Sequence, residues 1–399
     1  MSTFFKIAII DPMSNIPSQL KSGPWLLDPT ITYLNHGSFG ARSRQVYEAQ
    51  QRYTLEFEQS PVDFLDRQRN RIYDARKIVA AFVGASHEGF GFVENATTGI
   101  GCVIQSLSLQ EGDEILTTNH VYNGVRQLLS HYCVGKNLHY REIDIPLPIT
   151  SDAVILQRIE NAFTKKTKLL VIDHVASESA IVFPVDEIVH LCRKKGICIL
   201  IDGAHAPGMI DLHIDALAPD WYVGNLHKWV CAPLGAAFVW TSEPLRTSTH
   251  PMTVSHWLHQ GYTDEFDWQG TRDVSPWLSA VDAICVGEKI GWDSIRKHNH
   301  QLVTWMHETL VTSFGVQPLS PIDGSMLGSM ATVLLPSCGP QTLDDCIALR
   351  NQLYVKNAVE IHIFEFQGKG VLRVSAQLYS RTEDIDRLLG AFRSLNITK

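Results

Sequence analysis

The sequence predicts an α/β fold, with a mostly parallel central sheet covered by helices on both faces and a smaller α/β domain towards the C-terminus. Three observations predict it. Strand-like and helix-like segments alternate from about residue 70 to 240, the pattern of βαβ units. The runs Lys168-Leu169-Leu170-Val171-Ile172-Asp173 and Ile197-Cys198-Ile199-Leu200-Ile201 are apolar without alternation, as expected of parallel strands buried on both faces. A chain of 399 residues with 45% hydrophobic content has ample material for two domains.

In chain order, Met1 to Ile10 is apolar, but Lys6 interrupts it and Asp11-Pro12 follows. With no small-residue cleavage site, it reads as an arm or first strand and not a signal peptide. Arg71 to Gly84 reads as a helix stopped by glycine. Gly91-Phe92-Val93 leads through Glu94-Asn95-Ala96-Thr97-Thr98-Gly99 into a helix from about Ile100 to Leu109. Glu114 to Thr118 is strand-like, and a helix is expected around Gly124 to Tyr132. Asp186 to Lys195 carries Ile188, Val189, Leu191 and Cys192 on one stripe, basic residues in its last turn and Gly196 as its stop. After Gly235 to Trp240 the pattern loosens into Trp- and His-rich loops. A helix-rich stretch from Pro276 to Phe314 follows, then strand-like segments at Met330 to Leu335 and Gly370 to Ser375, and a last helix around Glu383 to Leu395. The expected division is an arm over 1–30, a large domain over 31–282 and a small domain over 283–399.

Composition narrows the partners. A net charge of −8 with 19% charged residues offers no basic stripe for nucleic acid. No apolar run reaches the roughly 20 residues of a membrane helix, so neither membrane nor nucleic acid is an expected partner. The eight cysteines are scattered through apolar segments without a C-x-x-C pair, which suits reduced core thiols and a cytoplasmic location.

The chemistry concentrates on Lys228. It sits in Asn225-Leu226-His227-Lys228-Trp229-Val230, downstream of the apolar strand that ends in Asp202. A strand ending in an acid, followed by one ending in His-Lys, is an arrangement that holds pyridoxal 5'-phosphate: the lysine makes the Schiff base and the acid pairs with the pyridinium nitrogen. A lone lysine is ordinarily a solvated charge and a lone strand-end Asp a turn residue. Here the lysine has apolar neighbours that favour its neutral amine, and both groups emerge at the carboxyl edge of a parallel sheet, where ligands bind. Asn95-Ala96-Thr97-Thr98-Gly99 enters a helix and offers amide donors to a phosphate, although such caps begin most helices. Asn225 and His227 could add donors from the lysine loop. Arg373 is the candidate carboxylate anchor, a guanidinium being matched to two parallel hydrogen bonds.

Taken together, Tyr33-Leu34-Asn35-His36-Gly37-Ser38-Phe39-Gly40, Asn95-Ala96-Thr97, Asp173-His174-Val175-Ala176-Ser177, Asp202-Gly203-Ala204-His205, His227-Lys228-Trp229, Gly270-Thr271-Arg272-Asp273 and Leu372-Arg373-Val374-Ser375 extend over nearly the whole chain. In this order and spacing the strings are specific, and the chain resembles fold-type I pyridoxal phosphate enzymes of the class V aminotransferase superfamily, in particular the isopenicillin N epimerase-like branch. The resemblance implies that Lys228 binds the cofactor and shuttles the α-proton, that Asp202 pairs with the ring nitrogen and that His205 neighbours the ring. It implies that Ser177 faces the ring's phenolate oxygen and that Ala96, Thr97, Asn225 and His227 hold the phosphate. Gly270 and Thr271 would reach that phosphate from a second subunit of a homodimer. Asn35, His36 and Arg373 would face the amino-acid substrate. Tyr122 is favoured over His120 as the ring-stacking residue.

The fate of the stabilised carbanion stays open. An epimerase-like reaction leads, for which Tyr122, His36, His256 and His259 are candidate second acids. Carbon–sulfur β-elimination of the ergothioneine-pathway type, or cyclisation onto an iminium in specialised metabolism, are the alternatives. A cysteine desulfurase is disfavoured, because Val359 to Leu372 contains no cysteine where that chemistry needs a nucleophile before the anchor arginine. Ordinary transamination and a non-catalytic cofactor-binding protein are also disfavoured.

Overall fold

In the computed structural model of the chain, residues 25–397 are described. Most of the expected arm over 1–30 lies outside them. Twelve strands follow in order: β1 (Thr32–Tyr33), β2 (Phe90–Val93), β3 (Glu114–Thr118), β4 (His139–Ile143), β5 (Thr167–Asp173), β6 (Cys198–Gly203), β7 (Trp221–Asn225), β8 (Ala237–Thr241), β9 (Met330–Leu334), β10 (Val359–Glu360), β11 (His362–Phe366) and β12 (Lys369–Ser375).

Seven strands form the large sheet in the order β2-β8-β7-β6-β5-β3-β4. Only β8 runs against its neighbours. The central strands show why their sequences do not alternate. Ile199 and Ile201 of β6 pack into one apolar cluster and Leu200 into another on the opposite face. Leu170 and Ile172 divide from Leu169 and Val171 of β5 in the same way, so the central positions of these strands face a core on both sides of the sheet. Each such side chain contributes roughly 1.5–3 kcal/mol relative to exposure.

The local signals read from sequence act as expected in several helices. Helix Val185–Lys195 has Asp186 and Glu187 in its first turn, three basic residues in its last, and Gly196 at φ 67° as its left-handed stop. Helix Ala96–Gln105 begins earlier than the sequence suggested, because the Asn95 side chain caps it by accepting from the Thr98 amide at 2.9 Å.

The expected domain boundary at 282/283 is corrected. It cuts helix Ser275–Ile290, whose Trp277, Leu278, Ala280, Ala283 and Ile284 belong to the large core. The change of core comes at Gly291, φ 95°, after which helix Trp292–Phe314 supplies Leu302, Val303, Met306 and Leu310 to the small core. Residues 32–34 also depart from the expected division: β1 pairs in parallel with β10, and Leu34 is buried in the small core. The small domain is built on the antiparallel sheet β11-β12-β9. Its β11, absent from the sequence reading, joins β12 through Gln367-Gly368, both at positive φ, a two-residue hairpin turn.

A buried ion pair ties helix Pro61–Phe82 to helix Tyr262–Asp267: Arg76 contacts Asp267, and both side chains are at most 3% exposed. Arg76→Ala leaves a buried acid without its partner, and equilibrium unfolding is expected to show a loss of about 3 kcal/mol.

Candidate active site

The carboxyl ends of β5, β6 and β7 carry Asp173, Asp202 and Asn225 respectively, and the turn after β7 delivers His227 and Lys228. Burial, and secondly the charge of Arg373, lower the Lys228 amine to about 8. Its Nζ lies 3.0 Å from His205 Nε2. The Trp229 indole N–H donates to His205 Nδ1 at 3.4 Å. A neutral His205 accepting at Nδ1 carries its proton on Nε2, so it points a donor at Lys228, whose amine must then accept. Burial holds His205 well below its ordinary value and therefore neutral. The arrangement favours the free amine, the form that attacks a carbonyl, and that form becomes the major one as pH rises through about 8.

The backbone of Lys228 is clamped from the other side. His36 Nε2 is 3.1 Å from the Lys228 carbonyl and its Nδ1 is 2.6 Å from the Tyr379 hydroxyl. Its ring packs on Trp229 with centroids 4.6 Å apart. Burial takes its pKa down to about 3. Such a histidine is neutral with both nitrogens engaged, which places it as a support under the lysine and not as the acid on the opposite face that the sequence suggested. Gly40 is required for this approach, since a Cβ there would meet the Lys228 carbonyl oxygen at 2.0 Å.

Asp173 and Asp202 are register partners across β5 and β6, and both are buried. Burial raises both acids, and the charge of Asp202 raises Asp173 further. Asp202 accepts from the Ala204 amide at 2.9 Å and feels Lys228, whereas Asp173 Oδ2 has no donor. The proton therefore resides on Asp173 and the charge on Asp202. One carboxylate oxygen of Asp202 is left for a cationic ring nitrogen.

At the other end, Asn225 Oδ1 accepts from the Ala96 amide at 2.8 Å, leaving the Asn225 amide group as a donor. Thr97, exposed in the first turn of its helix, could supply a hydroxyl and an amide to an anion. His227 Nδ1 is 3.2 Å from the Ala236 carbonyl, so its Nε2 donates only when the ring is protonated. Burial and Lys228 hold it at about 4, and a phosphate there would raise it. Gly270, φ 92°, and the exposed Thr271 lie on a loop fastened to its own chain by Arg272 pairing with Glu94, next to Asn95.

Arg373 projects from β12, 2% exposed. Its Nη1 donates to the Ser177 carbonyl and hydroxyl at 2.7 and 2.9 Å, and its Nη2 to the Ser38 hydroxyl at 2.9 Å. Ser38 in turn donates to Asn35 Oδ1 at 2.7 Å, so Asn35 acts on the site through Ser38. Ser177 keeps its own hydroxyl hydrogen to donate. Burial lowers the Arg373 guanidinium to about 10, which leaves it charged at neutral pH. Of the two candidate ring plates, His120 is completely buried. Its nitrogens lie 2.8 Å from Ser179 Oγ and 2.9 Å from the Ile145 carbonyl, and its ring is wedged against Phe183 and Phe366. Tyr122 is 46% exposed and lies in the neighbourhood of Arg373.

The site thus joins Lys228, His205, Asp202, Asn225, His227, Ala96 and Ser177 at the large-sheet edge, and Arg373 reaches it from β12 of the small domain, held to Ser177 and to Ser38, which Asn35 supports. Comparison with known proteins gives the family. The aminotransferase class-V profile matches residues 33–388. The chain belongs to the class-V aminotransferase family. A probable L-cysteine desulfhydrase of Arabidopsis thaliana is 31% identical over 92% of this chain and 83% of its own length. An isopenicillin N epimerase of Amycolatopsis lactamdurans is 30% identical over 93% and 96%. Among solved structures, a cysteine desulfurase from Thermococcus onnurineus NA1 superposes with a TM-score of 0.80, at 20% identity over 95% of this chain and 98% of the other. That likeness is one of fold, because the β11–β12 hairpin is closed by Gln367-Gly368 and carries no cysteine.

This class-V member is a pyridoxal phosphate-dependent enzyme. Its residues fit that group. A buried anion at Asp202 suits a protonated ring nitrogen, the capped helix start with Thr97 and Asn225 suits a phosphate, and Lys228 supplies an amine that loses its proton more readily than an ordinary lysine. Sequence reasoning missed Ser38, Asp173, Trp229 and Tyr379. Ser38 and Asp173 lie inside strings that the sequence does display, but their roles depend on partners far along the chain.

Proposed function

We propose that the enzyme removes the α-proton of an amino-acid substrate with Lys228 and expels a substituent from the β-carbon. When bound, pyridoxal phosphate withdraws electrons from the α-carbon and so makes that proton acidic. Asp202 would hold the ring nitrogen in its cationic form, Thr97, Asn225 and His227 would hold the phosphate at the helix start that Ala96 opens while the Ala96 amide stays bound to Asn225, Ser177 would face the phenolate oxygen, His205 would neighbour the ring and Tyr122 would cover it. Arg373, seated on Ser177 and Ser38, grips the substrate carboxylate and aims the Cα–H bond at the Lys228 amine. Lys228 takes the proton and can return it to the leaving group.

The observation that carries β-elimination ahead of epimerisation is the engagement of His36. Epimerisation through two acids needs a donor opposite Lys228, and the buried, neutral His36 is committed to Tyr379 and the Lys228 carbonyl. Elimination needs the lysine alone. The desulfhydrase relative supports the same order. The half-exposed phenol of Tyr122 keeps epimerisation as a second reading. In deuterated water with cysteine and other β-substituted amino acids, we expect release of pyruvate and ammonia. Deuterium entering at the α-carbon with loss of chirality, and no release of ammonia, favours epimerisation instead.

We further propose a homodimer, with Gly270 and Thr271 reaching the partner's phosphate site. Phe39 and Leu234, which flank the lysine loop, are 60% and 63% exposed in the single chain, as suits surfaces awaiting a partner. Sedimentation at micromolar concentration should give twice the 44.7 kDa chain mass. The free cysteines suit a cytoplasmic setting. No helix among the described residues is long and apolar enough to cross a membrane.

A further inference from the structure

Glu178 follows Ser177 in the loop that seats Arg373, and no step above uses it. Its peptide is pinned on three sides. Ser177 accepts twice from Arg373, the Glu178 carbonyl accepts from Thr332 Oγ1 at 2.7 Å, and Ser179 meets His120 at 2.8 Å. The loop therefore cannot easily carry the side chain away from the site. Yet Oε2 of its carboxylate is buried without a hydrogen-bond partner among the described residues. Burial raises its pKa to about 7, against the pull of Arg373, Arg126 and Lys228. Its charge is felt in turn at Lys228, Arg373 and Asp173.

Charge balance around this carboxylate changes when the site fills. Arg126 is committed to Glu142, with contacts of 2.7 and 3.2 Å. On the proposed function, Lys228 is taken up by the cofactor and the charge of Arg373 by the substrate carboxylate. Each cation that offsets Glu178 in the free protein is then spent elsewhere. Glu178 is half-buried, but its Oε2 is shut away from water, and a charge there without a countercharge is disfavoured, so a ligand that brings a cation relieves it, as does uptake of a proton. Among substrates of similar shape, one that places a positive charge at Glu178 gains a charge-assisted contact that a neutral one forgoes.

We infer that Glu178 forms a subsite for a cationic group on the substrate, so that the enzyme selects amino acids bearing a protonated amine besides the α-amino group. This rests on the cofactor and anchor roles proposed above. The test uses the holoenzyme and reads binding from the change in its visible spectrum, not from turnover. Diamino acids are titrated against uncharged isosteres: 2,4-diaminobutyrate against norvaline and ornithine against norleucine. In the wild type at least one diamino acid should bind about tenfold more tightly than its isostere. E178Q should bring that ratio to about one, and E178D should retain part of it. Norvaline and norleucine report whether the variant site still admits an amino acid. Parity in every wild-type pair overturns the subsite, as does a preference that survives E178Q. A wild-type protein that gains no visible absorbance with pyridoxal phosphate overturns the cofactor reading itself, a result distinct from parity.

Discussion

Lys228→Ala is expected to leave a folded protein that holds pyridoxal phosphate without a covalent link and turns over its amino-acid substrate about 10⁴-fold more slowly. The magnitude follows from the lysine's double use. It is the amine presented for attack by His205 and Trp229, and it is the base aimed at the α-proton. Neither neighbour can substitute: His205 lies well below its ordinary pKa and is a poor base, and His36 is held beneath the loop. Borohydride reduction followed by peptide mass spectrometry should find the cofactor on Lys228 in the wild type and on no residue in the variant. Exchange of the substrate α-proton with deuterated water should fall in parallel, and exchange within tenfold of wild type would falsify the assignment of the base. The pH dependence has a definite sign. An amine lowered to about 8 is increasingly neutral as pH rises through that value, so covalent attachment of added cofactor should accelerate up to about pH 8 and then level off. An ordinary lysine would continue to gain to about pH 10.4.

The parts of this site that the sequence made legible are those fixed by short-range rules. Asp202 and Lys228 could be found because parallel strands advertise themselves as unbroken apolar runs and present their ends at one sheet edge. Arg373 was found through its neighbours in β12. The remaining parts depend on partners that the local sequence does not name. His36 resembles a free titratable group until Tyr379, 343 residues away, engages it. Glu178 carries no local signal, and its Oε2 is shut off from water in a loop whose backbone Thr332 and Arg373 fasten from far along the chain. The domain boundary was misplaced for a related reason. Helical periodicity runs unbroken through residue 282, and which core a helix joins is decided by tertiary packing. Likewise β1 is a two-residue strand whose partner β10 lies in the other domain, a pairing that neither segment reveals alone.

Asp202→Asn is expected to reduce turnover about a thousandfold while the cofactor remains attached to Lys228. The carboxylate and the amide are nearly isosteric, so the hydrogen bond from the Ala204 amide at 2.9 Å can persist and the fold is undisturbed. What is lost is a negative charge held where the ring nitrogen must be cationic for the α-proton to be acidic. The buried setting magnifies that loss, because low-dielectric surroundings strengthen a single ion pair and offer no water to replace it. Asp173 cannot take over, since burial and the charge of Asp202 raise it well above its ordinary value and its Oδ2 has no donor, so it stays protonated beside Asp202. The loss should therefore appear in kcat, with little change in the amount of cofactor bound, and the visible spectrum should shift as the ring nitrogen gives up its proton. Asp202→Ala should add weaker cofactor retention to the same kinetic defect, because the amide's remaining contact with the ring is gone as well. Turnover of Asp202→Asn within tenfold of wild type, with an unchanged spectrum, would mean that the ring nitrogen is served by another group.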